Sequence, residues 1–214
     1  MKKLLAAAAL LVSVVVPTQF AGAASAAQES GVAAPARDVP AFVIDDATAV
    51  PPAVDQARER IRAGKPAGWQ KGEVSASGID YEGYFINGNG NCLDVYNNTG
   101  PQLIHWACHW GGNQYWRLTK DPNYNQWEIK PWQWVTECAD VEGVVGPNVI
   151  KFPCTLNSNQ LWYAADTGNR TAFFQSYADF GKCLDASGTD SRALSWPCNW
   201  QANQQWYLYI PQNT

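Results

Sequence analysis

From about Gly78 onward, apolar residues come in short runs rather than helical stripes. Tyr81 to Ile86, Gln126 to Ile129, Ala172 to Phe174 and Trp206 to Ile210 are rich in aromatic and β-branched residues, and Gly, Asn, Asp and Pro separate them. That texture predicts strands joined by tight turns. The runs fall into three blocks, and each block predicts four short strands. One precedes a first cysteine, one begins at it, one leads into a second cysteine, and one starts at a Gln-x-Trp. A block of about 45 residues cannot bury a core alone, but three sharing an axis can. Closing such a sheet also removes its exposed edges.

Upstream the pattern changes. Val54, Ala57 and Ile61 share a face of a predicted helix over 53–63. Asp55 comes early and Arg60 and Arg62 come late, which suits the helix dipole, and Gly64 stops it. A helix of roughly 11 residues is marginal alone and needs a surface to pack on. The rest of 27–77 is rich in Ala, Pro and Val, and reads as a largely irregular arm or propeptide. Before it, Lys2 and Lys3 precede an apolar run from Leu4 to Val16, and Ala24-Ser25-Ala26 fits a cleavage site. Residues 1–26 are therefore expected to be a secretory signal peptide. The run is shorter than the ~20 residues a membrane span needs. The expected product is secreted and extracellular.

The three blocks are copies of one another. Asn113-Gln114-Tyr115-Trp116, Asn159-Gln160-Leu161-Trp162 and Asn203-Gln204-Gln205-Trp206 each follow a cysteine at the same distance. Those cysteines, Cys108, Cys154 and Cys198, follow Cys92, Cys138 and Cys183. After each first cysteine comes Leu93-Asp94, Ala139-Asp140 or Leu184-Asp185, and before each second cysteine stands an aromatic, Trp106, Phe152 or Trp196. Features kept in register across three copies define a threefold internal repeat. Repeat symmetry selects one of the possible pairings: Cys92–Cys108, Cys138–Cys154 and Cys183–Cys198. Closing each loop stabilises by about 3 kcal/mol in the chain-entropy model, and such use of cysteine fits an oxidising compartment. Metal is the competing use. No C-x2-C spacing occurs, and His105 and His109 flank Cys108 without matching a standard site, so neither metal nor cofactor is expected.

Residues 80–214 carry 12 acidic and 7 basic side chains. That balance offers no basic stripe for phosphates, so nucleic acid is not an expected partner, and neutral ligands remain.

The three Cys-Leu-Asp-like turns, the aromatic-x-Cys strands and the three Gln-x-Trp motifs together resemble the ricin B-type (Gln-x-Trp)3 lectin family, over roughly 78–214. The resemblance implies an all-β fold, the β-trefoil: a six-stranded barrel capped by three hairpins. It implies that Trp116, Trp162 and Trp206 fill the core while each Gln amide satisfies backbone groups. It also implies a sugar site per repeat, in which an Asp accepts hydroxyl hydrogen bonds, an aromatic stacks on a pyranose face and an Asn adds a polar contact. In repeat one these are Asp94, Trp106 and Asn113, with Gln114 behind them. Repeat three has Asp185, Trp196, Asn203 and Gln204, and repeat two has Asp140, Phe152, Asn159 and Gln160. Binding of this kind needs no general acid or base.

Two features pull against a working site. Strand alternation puts Ile104, Ile150 and Leu194 on the face that carries Trp106, Phe152 and Trp196, which predicts that this face is the buried one. The loop between Asp and aromatic is also shorter than in typical members. A second stacking platform is available in Trp110 and Trp200, two residues after the cysteine in repeats one and three; repeat two has Leu156 there and ranks last. Asn97-Asn98-Thr99 and Asn169-Arg170-Thr171 fit the glycosylation pattern.

Three classes of function follow. The first is a secreted, monomeric carbohydrate-binding protein whose partner is a glycan. The second is a β-trefoil used for protein contact, as inhibitor, adhesin or toxin-complex subunit. An enzyme comes last, because no Gly-x-Ser-x-Gly, His-Glu-x-x-His or unpaired cysteine occurs. The expected folding unit is the 78–214 domain alone.

Overall fold

The computed structural model describes residues 39–66, 80–121, 125–143, 147–187 and 190–212. The signal-peptide expectation for 1–26 lies outside them. The chain is a β-trefoil. Each repeat supplies four strands: β2 (Asp80–Asn87), β3 (Asn91–Val95), β4 (Leu103–Ala107) and β5 (Tyr115–Lys120) in the first; β6 (Trp127–Pro131), β7 (Glu137–Val141), β8 (Val149–Pro153) and β9 (Trp162–Asp166) in the second; β10 (Ala172–Ser176), β11 (Lys182–Asp185), β12 (Leu194–Pro197) and β13 (Trp206–Tyr209) in the third.

The outer strands of each repeat form the barrel. Antiparallel pairings run β2–β5, β5–β6, β6–β9, β9–β10 and β10–β13, and β13 returns to β2, so six strands close a ring. The inner pairs β3–β4, β7–β8 and β11–β12 are hairpins that cap one end. They interlock with threefold regularity: His105 N–H donates to Ser191 O, Lys151 N–H to Pro101 O and Ser195 N–H to Pro147 O, at 2.6–2.7 Å.

The core repeats in threes. Trp116, Trp162 and Trp206 are fully buried. Their indole N–H groups donate to Leu93 O, Ala139 O and Leu184 O at 2.9, 3.2 and 3.0 Å. A tryptophan buried this way contributes a large apolar body without orphaning its one donor. Leu103, Val149 and Ala193 fill the hairpin end of the same core. The disulfides pair as repeat symmetry requires: Cys92–Cys108, Cys138–Cys154 and Cys183–Cys198.

The described part of the arm packs against this barrel. β1 (Val43–Ile44) runs parallel to β13, with Leu208 N–H donating to Phe42 O and Ile210 N–H to Ile44 O. Phe42 enters the barrel core edge-on to Trp127 and Phe174, with ring centroids 5.9 and 5.5 Å away. α1 (Pro52–Ala63) begins with Pro at a position whose N–H has no helical partner anyway. It buries Val54, Ala57 and Ile61 against Tyr84, Ile86, Tyr207 and Tyr209. Buried Arg58 donates to Asp45 O, Thr48 O and Asp55 Oδ1 and so ties the turn before the helix to the helix itself. The hydrophobic core extends beyond the repeats to Phe42.

Candidate carbohydrate site

The three equivalent carboxylates stand on the second strand of each repeat, at the cap. Asp94 belongs to β3, Asp140 to β7 and Asp185 to β11. Each strand is pinned by the disulfide beside it, and each carboxylate is held by the Gln of its own Gln-x-Trp. Gln114 Nε2 donates to Asp94 Oδ2 at 2.6 Å, Gln160 to Asp140 at 2.8 Å and Gln204 to Asp185 at 2.6 Å. The same amide nitrogen reaches the carbonyl before the second cysteine, Ala107 O, Pro153 O or Pro197 O. The amide oxygen accepts from the N–H after that cysteine, His109, Thr155 or Asn199. One buried side chain thus fixes the carboxylate relative to the disulfide loop. Gln114, Gln160 and Gln204 are fully buried, so they position the carboxylate and do not face solvent as contact residues would.

The repeats then diverge. In the first, Asn113 Nδ2 donates to Asp94 Oδ1 at 2.8 Å, leaving each carboxylate oxygen with one protein donor. His109 lies beside it, with Nε2 3.7 Å from Asp94 Oδ2. Its imidazole passes over Gly111, where a Cβ would collide with both His109 and Asn113. Asp94, His109 and Asn113 line a cleft of about 320 Å³ together with Trp106, Tyr96, Asn97, Asn98 and Ile104. Asn97 and Asn98 hold the left-handed backbone, φ 51° and 62°, that turns Tyr96 into this lining. Burial pushes the Asp94 carboxyl above its ordinary value, while the Gln114 and Asn113 hydrogen bonds and nearby His109 pull it down.

In repeat three Asp185 is fully buried. It accepts from Gln204, from Asn203 Nδ2 at 2.8 Å and, beyond the pair of donors that Asp94 has, from Ser187 N–H at 2.6 Å. In repeat two burial likewise raises the Asp140 carboxyl. The Gln160 and Asn159 side chains pull it down, and Asn159 also donates to Val141 O at 3.3 Å.

The aromatic face is the open one, not the buried one expected from its shared parity with Ile104, Ile150 and Leu194. Trp106, Phe152 and Trp196 are 54%, 49% and 48% exposed. Lys151 and Ser195, one residue earlier, are the buried ones. Alternation holds, but with the other face inward: Val149 and Lys151 are buried in β8, as are Ala193, just before β12, and Ser195 within it, while Phe152 and Trp196 are exposed. In β4 both Leu103 and Ile104 are buried and the strand is exposed at Trp106 and Ala107. Lys151 is accommodated by an ion pair with Glu137 at 2.5 Å and by lying over the Trp134 ring.

The two loop tryptophans also part company. Trp200 is exposed, with φ 61°, and stands edge-on to Phe173 at 4.6 Å. Trp110 is no exposed platform: it turns toward Tyr84 and packs with the α1 cluster. Gly64 approaches so closely that an added Cβ would sit 2.7 Å from Trp110 Cβ. His109 takes the place beside the carboxylate instead. The sequence held a signal for it, since the residue after the second cysteine is His, Thr and Asn in the three copies.

A threefold barrel whose cap carries carboxylate, amide and exposed aromatic side chains from every repeat has the architecture of a β-trefoil lectin. Residues 81–209 match the ricin-type β-trefoil lectin domain, and the chain belongs to that family. No curated protein matches the chain. Among solved structures, the designed threefold-symmetric protein ThreeFoil superposes at a TM-score of 0.54 and 24% identity, over 59% of this chain and 96% of its own. An exo-β-1,3-galactanase from Clostridium thermocellum gives 0.53 at 21% identity, over 59% of this chain and 29% of its own. The hemolytic lectin CEL-III gives 0.50 at 24% identity, over 61% and 30%. These likenesses establish the fold. The family supports a carbohydrate-binding role.

Proposed function

We propose that this chain is a secreted, non-catalytic carbohydrate-binding protein whose principal sugar site is the repeat-one cleft. The observation that carries this reading is the combination of Asp94, Asn113 and half-exposed Trp106 around one open cleft. Asp94 uses the lone pairs left by Gln114 and Asn113 to accept from two adjacent sugar hydroxyls, as charge-assisted hydrogen bonds. Trp106 offers its face to the pyranose C–H groups. The Asn113 amide and the His109 imidazole supply further polar contacts. Nothing in this arrangement requires a bond to break.

Repeat two offers the same kit with Phe152 in place of tryptophan, and repeat three presents a carboxylate already satisfied by the protein. The exposure of the aromatics favours a sugar site over a protein-contact surface. Screening the full chain on a glycan array and on immobilised polysaccharides tests the reading. Retention that Asp94→Asn abolishes supports it; a chain that retains no glycan, or retains it equally after that substitution, overturns it.

A further inference from the structure

Each site is flanked by the next repeat in a regular way. The first residue after the first strand of a repeat lies against the variable residue of the preceding Gln-x-Trp. Trp132, following β6, meets the Tyr115 ring at 6.0 Å. Tyr177, following β10, donates its N–H to Leu161 O at 2.9 Å. Gly88, following β2, donates to Gln205 O at 2.8 Å and Ala202 O at 2.9 Å.

The three seams therefore carry Trp, Tyr and Gly at one structural position. At Gly88 there is no room for more, because a Cβ would stand 2.8 Å from Ala202 O. At the seam beside repeat one the position is filled by an indole that is 47% exposed and fixed edge-on by Tyr115. The next residue, Gln133, lays its side chain against Gly112, the neighbour of Asn113, where any Cβ would collide with it. Gln133 thus joins Gly112, the chain neighbour of cleft residue Asn113, to a second exposed aromatic, Trp132.

We propose that the repeat-one cleft continues across Gln133 to Trp132, and that its ligand is a linear glycan spanning both rather than a single sugar. One unit occupies Asp94 and Trp106; the following units cross the Gln133 amide and stack on Trp132. The chemistry matches that of the cleft, since a sugar chain presents hydroxyl edges and apolar C–H faces in alternation, and the protein presents amide then indole. Repeat three cannot be extended this way, because Gly88 leaves its seam without an aromatic. This inference rests on the reading of the cleft as a sugar site.

The test uses the full chain and mono- to hexasaccharide ladders from xylan, β-1,3-galactan and β-1,4-mannan, with affinity measured for wild type, Trp132→Ala, Trp132→Phe and Asp94→Asn. Affinity should rise with length on the ladder that binds. Trp132→Ala should remove that rise, about tenfold for one aromatic contact, and leave the monosaccharide unchanged. Trp132→Phe should restore part of it, with unfolding midpoints constant across wild type and the two Trp132 variants. Affinity independent of length, or a Trp132→Ala loss equal for mono- and hexasaccharide, overturns the extension while leaving the cleft intact. Unaltered binding by Asp94→Asn overturns the cleft reading itself. Failure of all ladders to bind overturns both.

Discussion

Gln114 and Asp94 share a hydrogen bond of 2.6 Å in which neither residue is free to move, because the glutamine also holds Ala107 O and the His109 N–H. The most repetitive side chain of the motif is therefore the one that aims the carboxylate. Gln114→Ala leaves a buried carboxylate and a buried N–H each short of a partner. We expect it to cost about 1–3 kcal/mol of stability and to weaken glycan retention although the side chain touches no ligand. Urea unfolding alongside retention on polysaccharide checks this; a variant with normal stability and normal retention contradicts it.

Asp94 and Asp185 should respond oppositely to the same substitution. Asp94→Ala should abolish glycan retention. Asp185→Ala removes an acceptor that Gln204, Asn203 and the Ser187 N–H all use, so it should lower the unfolding midpoint and leave retention largely intact. Loss of retention in Asp185→Ala at unchanged stability would give repeat three an active site. Asp140→Ala should change retention little.

Acidity should separate binding from folding. Burial raises the Asp94 carboxyl. Its charge, and with it the strength of its bonds to hydroxyls, is present above that raised value and lost as pH falls through it. For stability the sign is reversed. Between the ordinary carboxylate value, ~3.9, and the raised one, the folded state binds more protons than the unfolded state. This group's contribution to stability therefore declines as pH rises through that window, and Asp140 acts in the same direction. Retention measured from neutrality down to about pH 3.5 should fall before the fold is lost. Retention that persists to the unfolding pH contradicts this.

Phe42 should behave as a core residue despite its place in the arm. Phe42→Ala is expected to cost roughly 3–5 kcal/mol. A fragment of residues 76–214 also loses β1 and leaves the Leu208 and Ile210 N–H groups without acceptors. It should unfold at far lower urea than the longer chain. Equal midpoints for the fragment and the chain would confine the core to the repeats.

Register made the repeat, the disulfide pairing and the central tryptophans legible, because a threefold axis imposes the same demand on three separated stretches. Which face turns inward was not legible. Alternation says which residues share a face but not which face meets the core, and Val149 with Lys151 is buried while Phe152 is exposed. The fates of Trp110 and Phe42 depend on a helix and a strand far upstream docking onto the barrel, which no local pattern reports. His109 lay in view as the residue after the second cysteine, which is His, Thr and Asn in the three copies.

The strand β13 bonds to β2, β10 and β1 at once, and Tyr209 at its end donates to Asp46, 163 residues earlier. Ring closure joins the most distant parts of the chain. Such a topology folds slowly, because loop entropy is spent long before the contacts that repay it are made. Until β13 arrives, five barrel strands leave two edges open to pairing with another chain. The three disulfides close short local loops and can form before that moment, so each repeat can hold its carboxylate in place while the barrel is still incomplete.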